Sequence, residues 1–178
     1  RIDANQAWDL AEATAAVEAL LTAGVPLDFL EQPLPAWDLA GHAELRRRFE
    51  VPIVLDESVF SVHDLRRAVA AAALDVVNIK LAKCAGLHPG LEIAREAADA
   101  GIGVMVGSMM ESELGVSAAA ALAAVVAPDG VHDLDAAWWS TAPDDPDSPY
   151  RDGRFHPAPL PGLSGAESRV VPAEAVCA

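Results

Sequence analysis

Two kinds of pattern alternate along the chain. Short apolar runs, lacking the in–out alternation of a half-exposed strand, are each followed by a longer stretch in which apolar residues recur every few positions. The apolar runs end at Asp3–Asn5, at Glu31, at Asp56, at Lys80, near Ser108–Glu111 and at Asp133–Asp135. Helical patterns follow at "AWDLAEATAAVEALLTAG", which Gly24 closes, and near Leu39–Phe49, Val62–Ala73, Gly90–Ala100 and Leu114–Ala127. Strand ends thus recur about every 25 residues, room for one strand, one helix and two loops. The units share a layout but no side-chain consensus, which favours β/α repetition over a solenoid of sequence repeats.

Buried parallel strands alternating with helices make the fold class α/β. Six such units fit roughly strands three to eight of a (β/α) barrel of the TIM type, whose full form has about eight strands and about 250 residues. The competing architecture, an open doubly wound sheet, usually carries a Gly-rich phosphate loop after its first strand. "DANQAW" is not such a loop, and no other segment is. The expectation is an incomplete TIM-type barrel over residues 1–140. Residues 141–178 are expected to form a Pro-rich tail packed on the barrel or on a cap. The stretch Ala136–Ala178 holds seven of the 13 prolines, with one strand predicted at Ser168–Val171. Trp138 and Trp139 are assigned to covering apolar surface. The chain opens at "RIDANQ", without Met and almost at once at a strand end, and reads as a piece of a longer protein.

Charge narrows the partners. The 178 residues carry a formal net charge of -15, and the basic clusters are Arg46-Arg47-Arg48 and Arg66-Arg67. Both fall on predicted helices, so they read as solvated faces rather than a nucleic-acid stripe. Cys84 and Cys177 are too far apart for a metal or redox spacing and fit a reduced, cytoplasmic setting. The longest apolar stretch, Val116–Ala127, is too short to span a bilayer. A small-molecule substrate is expected, with no nucleic acid and no membrane; a homo-oligomer stays open.

The strand ends carry the candidate chemistry. In a parallel barrel they share one mouth, where barrel enzymes hold their active sites. One carboxylate there often does no more than cap the next helix. Asp3, Glu31 and Asp56 stand on three successive strands, and three converging carboxylates repel one another unless a cation lies between them. Their hard oxygens suit Mg2+, and the absence of Cys or His among them disfavours zinc. Lys80 follows on the next strand. Arg cannot release a proton in a protein, whereas Lys can once burial or a cation lowers its pKa, so Lys80 is a candidate general base. Lys83, beyond the strand end, is expected in solvent. Asp133 and Asp135, two apart on a strand, share a face and could grip one cation.

"DANQAW", "FLEQPL", "VLDES", "VNIKLAKCAGL", "VGSMMES" and "HDLD" resemble, in order and spacing, the enolase superfamily in its muconate lactonizing enzyme subgroup, over about residues 1–140. The resemblance implies Mg2+ bound by Asp3, Glu31 and Asp56, with Asn5 behind them and Lys80 as an acid/base residue. Lys80 on the sixth barrel strand argues against the mandelate-racemase branch, which carries a His/Asp pair on later strands. Within the subgroup the chain looks most like the dipeptide epimerases, such as L-Ala-D/L-Glu epimerase. That likeness implies 1,1-proton transfer at the carbon next to a carboxylate. It also places Asp133 and Asp135 on the substrate's α-ammonium group, and Glu111 among the substrate-binding residues. Muconate cycloisomerase, N-acylamino acid racemase and o-succinylbenzoate synthase activities on the same scaffold remain alternatives. So does a fragment that is inactive without its N-terminal part. The chain departs from the family in two ways: it contains no KxK motif for the opposing Lys, and no N-terminal capping domain. In "KCAGL", Cys84 and Ala85 stand where the family commonly has Gly-rich residues.

Overall fold

The computed structural model describes residues 1–140, 148–151 and 154–156. Five parallel strands form one sheet: β1 (Ile2–Asp3), β2 (Leu30–Glu31), β3 (Ile53–Leu55), β4 (Val76–Lys80) and β5 (Gly103–Gly107). Their spatial order equals their chain order, and an isolated parallel bridge from Gly107 to Asp133 extends the series by one more segment. A doubly wound sheet would reverse its order at a switch point. Unbroken sequential pairing is instead the arc of a barrel. The strand ends predicted at Asp3, Glu31 and Lys80 coincide with the observed ones, β3 and β5 stop just before Asp56 and Ser108, and the last segment pairs only through the bridge at Asp133.

The connecting helices are α1 (Leu10–Thr22), α2 (Leu39–Arg48), α3 (Val62–Ala70), α4 (Leu81–Cys84), α5 (Leu87–Asp99) and α6 (Glu113–Val126). Short polar residues start most of them. Asp9 and Glu12 form a reciprocal capping box on α1, and Asp38, Ser61 and Ser112 each accept a backbone N–H at the start of α2, α3 and α6. The four-residue α4 was not predicted; it begins directly after Lys80 and makes the segment after β4 curl back instead of running out.

The core lies between sheet and helices. Leu30, Ile53, Leu55, Val77, Ile79 and Val106 from the strands meet Ala13, Val17, Leu45, Leu65, Ile93 and Leu122 from the helices. All three residues of β3 are buried, which is why its sequence shows no alternation. The arginine clusters are solvated faces, as expected. Arg46 pairs with Asp75, Arg47 with Glu44, Arg48 with Glu18, Arg66 with Glu96 and Arg67 with Asp64. Among the described residues no helix is long and apolar enough to cross a membrane.

Beyond the bridge, Ala136–Ser140 form a 3-10 turn, and a hairpin pairs β6 (Tyr150–Arg151) with β7 (Arg154–Phe155). The hairpin was not anticipated. Tyr150 donates its hydroxyl to Leu134 O at 2.7 Å and meets the Trp138 ring edge-on. Trp138 meets Tyr150 but, like Trp139, remains exposed, so neither tryptophan is buried over apolar surface as expected. The strand predicted at Ser168–Val171 lies outside the described residues.

Candidate active site

β1 ends on Asp3 and β2 on Glu31, paired directly in register, while Asp56 follows β3 and Lys80 closes β4. Asn78 and Lys80, two apart on β4, face the same side. Opposite Lys80 on β5 is Gly107. A β-carbon there would stand 2.7 Å from Asn78 Oδ1 and 3.0 Å from Lys80 Cε, so glycine is what leaves room for both side chains.

Lys80 Nζ lies 2.6 Å from Asp56 Oδ2, and both side chains are buried. Burial by itself presses the Lys80 pKa down. The hydrogen bond and charge of Asp56, with Glu31 and Asp133 behind it, more than offset this and leave the pKa raised. The lowering expected for Lys80 is therefore absent; as it stands, Lys80 is the protonated, acid member of the pair.

Lys83 overturns its expected place in solvent. Its side chain is only 5% exposed and its ammonium pairs with Asp56 Oδ1. The same Nζ donates to Asp56 O at 2.6 Å, Asn78 O at 3.1 Å and Val59 O at 3.3 Å. The turn of α4 is the cause: residues three apart on a helical turn share a face, so Lys83 returns beneath the strand end that Lys80 crowns. Burial moves its pKa down, against the opposing pull of Asp56.

Glu31 accepts from Asn78 Nδ2 at 2.7 Å. Burial first, then repulsion from Asp3 and Asp56, outweigh this bond and the pull of Lys80, and push its pKa up to about 7. Burial also raises Glu57, and Glu57 Oε2 is buried without a hydrogen-bond partner among the described residues. Withdrawal from solvent and the adjacent Asp135 carboxylate raise Asp133, which lies within electrostatic reach of Lys80 and Asp3.

Gln32 holds the two buried carboxylates in register. It is fully buried, with φ at 33°. Its Oε1 accepts from Asp56 N at 2.9 Å and Ser58 N at 3.2 Å, and its Nε2 donates to Ser58 Oγ at 2.8 Å and Leu34 O at 3.0 Å. His42 packs behind it. Nδ1 of His42 donates to Asp38 O at 2.7 Å, which leaves Nε2 as an acceptor, with Leu34 N donating to it at 3.4 Å; burial lowers the pKa of the ring and so favours its neutral form.

The structure therefore gathers Asp3, Glu31, Asp56, Lys80 and Asp133 at one end of the sheet, with Asp135 beside Asp133. It does not bring Glu111 to them. Glu111 Oε1 accepts from Met109 N at 2.9 Å, and the side chain curls over Gly115 at the start of α6. Asn5 meets Asp3 through its backbone: Asn5 N donates to Asp3 Oδ1 at 2.9 Å. Sequence reasoning passed over Gln32, Asn78 and Lys83. The sequence signal for Asn78 is its place two residues before Lys80, on the same face of the strand; Lys83 has none.

Among the described residues no three His, Cys, Asp or Glu side chains are grouped closely enough to hold a metal as they stand. Lys80 occupies Asp56 Oδ2, and Asp3 is exposed at the edge strand. The donor chemistry nonetheless fits a hard divalent cation. Asp3, Glu31, Asp56 and Glu57 crowd two lysines, and burial, then repulsion from Asp3 and Asp56, pushes the Glu31 carboxyl up to about 7.

Known proteins share this layout. The L-Ala-D/L-Glu epimerase of Clostridium acetobutylicum is 40% identical over 124 residues, covering 70% of this chain and 35% of the relative. The hydrophobic dipeptide epimerase of Enterococcus faecalis is 40% identical over 145 residues, covering 80% of this chain and 40% of the relative. The N-succinyl-L-Arg/Lys racemase of Bacillus cereus is 39% identical over 119 residues, covering 66% and 32%. The chain thus spans about two-fifths or less of the length of these relatives. In three dimensions it matches a substrate-liganded L-Ala-D/L-Glu epimerase from Bacillus subtilis with TM-score 0.74 and 37% identity, over 76% of this chain and 38% of that one. It matches the Enterococcus faecalis V583 dipeptide epimerase complexed with Mg and dipeptide L-Leu-L-Tyr with TM-score 0.71 and 40% identity, over 75% of this chain and 38% of that one. The enolase C-terminal domain-like model covers residues 1–167. A TIM-type arc of parallel strands whose ends carry Asp3, Glu31, Asp56 and Lys80 accordingly makes this chain a member of the enolase C-terminal domain-like family.

Proposed function

We propose that this chain is the barrel portion of an Mg2+-dependent epimerase that moves a proton at the carbon next to a carboxylate, in a dipeptide. The observation that carries the reading is Lys80, buried at the mouth and paired to Asp56 beside Glu31.

Asp3, Glu31 and Asp56 would hold the cation. Bound there, Mg2+ supplies positive charge against the charge that develops on the substrate carboxylate when the α-proton leaves. Lys80 Nζ carries the proton on one face of that carbon. It is set by β4 and given lateral room by Gly107. Gln32 and its partners keep Asp56 in place while Lys80 works. Asp133 and Asp135 bind the α-ammonium group, and their closeness in the structure favours a cationic substrate over an acylated one. Inversion needs a second proton carrier on the opposite face. The part of the relatives' length that this chain does not span would supply it.

The test is exchange. The full-length protein, incubated with Mg2+ and L-Ala-L-Glu or hydrophobic dipeptides in deuterated water, is expected to lose the α-proton signal in NMR. Retention of that signal with every dipeptide overturns the reading. A second reading, racemisation of N-acylated amino acids, rests on the comparable identity to the N-succinyl-L-Arg/Lys racemase. Asp135→Asn separates them: it impairs exchange in a dipeptide and spares an N-succinyl amino acid.

A further inference from the structure

Each of the three carboxylates at the mouth has one oxygen held from inside the protein. Asp3 Oδ1 accepts from Asn5 N at 2.9 Å. Glu31 Oε1 accepts from Asn78 Nδ2 at 2.7 Å. Asp56 Oδ1 is paired with Lys83. The other oxygens differ from these. Asp3 Oδ2 and Glu31 Oε2 take no hydrogen bond from any described residue, and Asp56 Oδ2 is held by Lys80 alone, at 2.6 Å. The pattern is one clamped oxygen and one exchangeable oxygen per carboxylate, repeated on three strands.

Lys83 is the firmest of the clamps. Its three N–H donors face four acceptors, namely Asp56 Oδ1 and the carbonyls of Asp56, Asn78 and Val59. No proton is left over for a substrate, and the ammonium is nearly sealed from solvent. Lys80 has one carboxylate partner and stands at the exchangeable oxygen. The two lysines of this chain therefore divide Asp56 between them, one oxygen each.

We propose that Lys83 is a positioning residue, an internal counter-ion that makes Asp56 a single-oxygen ligand and thereby sets the site for a small divalent cation over a large one. The inference rests on the metal reading above and goes beyond it, because it assigns a role to a residue that does not touch the cation. The chemistry follows from ion size. Mg2+ demands a compact shell of single oxygens, whereas Ca2+ accepts carboxylates through both oxygens and up to about eight donors. A carboxylate with one oxygen already engaged cannot close on the larger ion. Asn78 imposes the same limit on Glu31, and the Asn5 backbone imposes it on Asp3.

Calorimetric titration of the full-length protein with Mg2+ and, separately, with Ca2+ tests this, for the unaltered chain, Lys83→Met and Lys83→Gln. Removing a positive charge strengthens both cations alike, so the informative quantity is the ratio of the two affinities. The unaltered protein is expected to favour Mg2+. In either variant, release of Asp56 Oδ1 is expected to shift the ratio toward Ca2+ by about tenfold or more. Lys83→Gln is uncharged and one bond shorter, so it gives up the ion pair with Asp56 Oδ1 while keeping N–H donors for the surrounding carbonyls, and it carries the test if Lys83→Met does not fold. A folded variant, checked by circular dichroism, whose ratio stays within about twofold of the unaltered protein overturns the proposal. An unaltered protein that binds neither cation overturns the metal reading itself, a distinguishable result.

Discussion

At the N-terminal ends of the strands, Asp75 has both oxygens engaged: Oδ1 accepts from Arg46 Nε at 2.7 Å and Oδ2 from Ile53 N at 2.9 Å. At the C-terminal ends, Asp3, Glu31 and Asp56 each keep an oxygen free or exchangeable. The same side-chain chemistry is thus used to close the structure at one end and left incomplete at the other. Burial sharpens the contrast, since an unsatisfied carboxylate in solvent costs little and a buried one costs much. The mouth is where the fold tolerates that cost, as expected of a site awaiting charge from outside.

The largest effect should come from Lys80→Met, which removes the proton carrier without touching the floor of the sheet. Solvent deuterium incorporation should fall by about 10²–10⁴-fold. Undiminished exchange would mean that the incomplete end is not the working end.

Glu31→Gln comes next, in the protein stripped of divalent cations. The folded pKa of Glu31, about 7, lies above its ordinary 4.5. The folded chain therefore holds a proton that the unfolded chain releases. The stability so conferred is full below about pH 4.5 and is lost as pH rises through 7. Urea unfolding should show the unaltered protein losing on the order of 3 kcal/mol across that window relative to Glu31→Gln. The variant should also fail to bind Mg2+. Parallel pH profiles would remove the claim that burial and its carboxylate neighbours raise this group.

Asp75→Ala probes the other end. It leaves the buried Ile53 N–H without its carboxylate partner and should cost about 1–3 kcal/mol in urea unfolding. The half-buried Arg46 pair adds about 1 kcal/mol. Exchange activity should be unchanged; a loss would show that the two ends are not independent. The smallest effect is at Ala85, which ends α4 at φ 66°, a left-handed conformation that glycine adopts without strain. Ala85→Gly should raise stability by up to about 1 kcal/mol in the same assay.

The barrel arc was legible because parallel strands buried on both faces write themselves as short apolar runs. Asp3, Glu31, Asp56 and Lys80 were legible because each ends such a run. Lys83 was not. Its position on the chain says only that it lies past a strand, and four residues are too few to announce the helical turn that folds it back. Gln32 and Asn78 escaped for a related reason. Each looks like an ordinary polar residue near a strand end, and its role appears only when Asp56 and Glu31, more than twenty residues distant in sequence, arrive beside it. The hairpin Tyr150–Phe155 was hidden by its proline-rich surroundings, which mimic irregular chain.

Gly107 has a consequence for how this site could change over generations. Any side chain there would collide with the Asn78 amide and the Lys80 stem at once. The neighbouring Met109 and Met110 are exposed and free to vary. New substrate preferences can therefore be explored in the loop while the position that shelters the proton carrier stays fixed. A library spanning 103–111 should return glycine at 107 among active clones and many residues at 109 and 110.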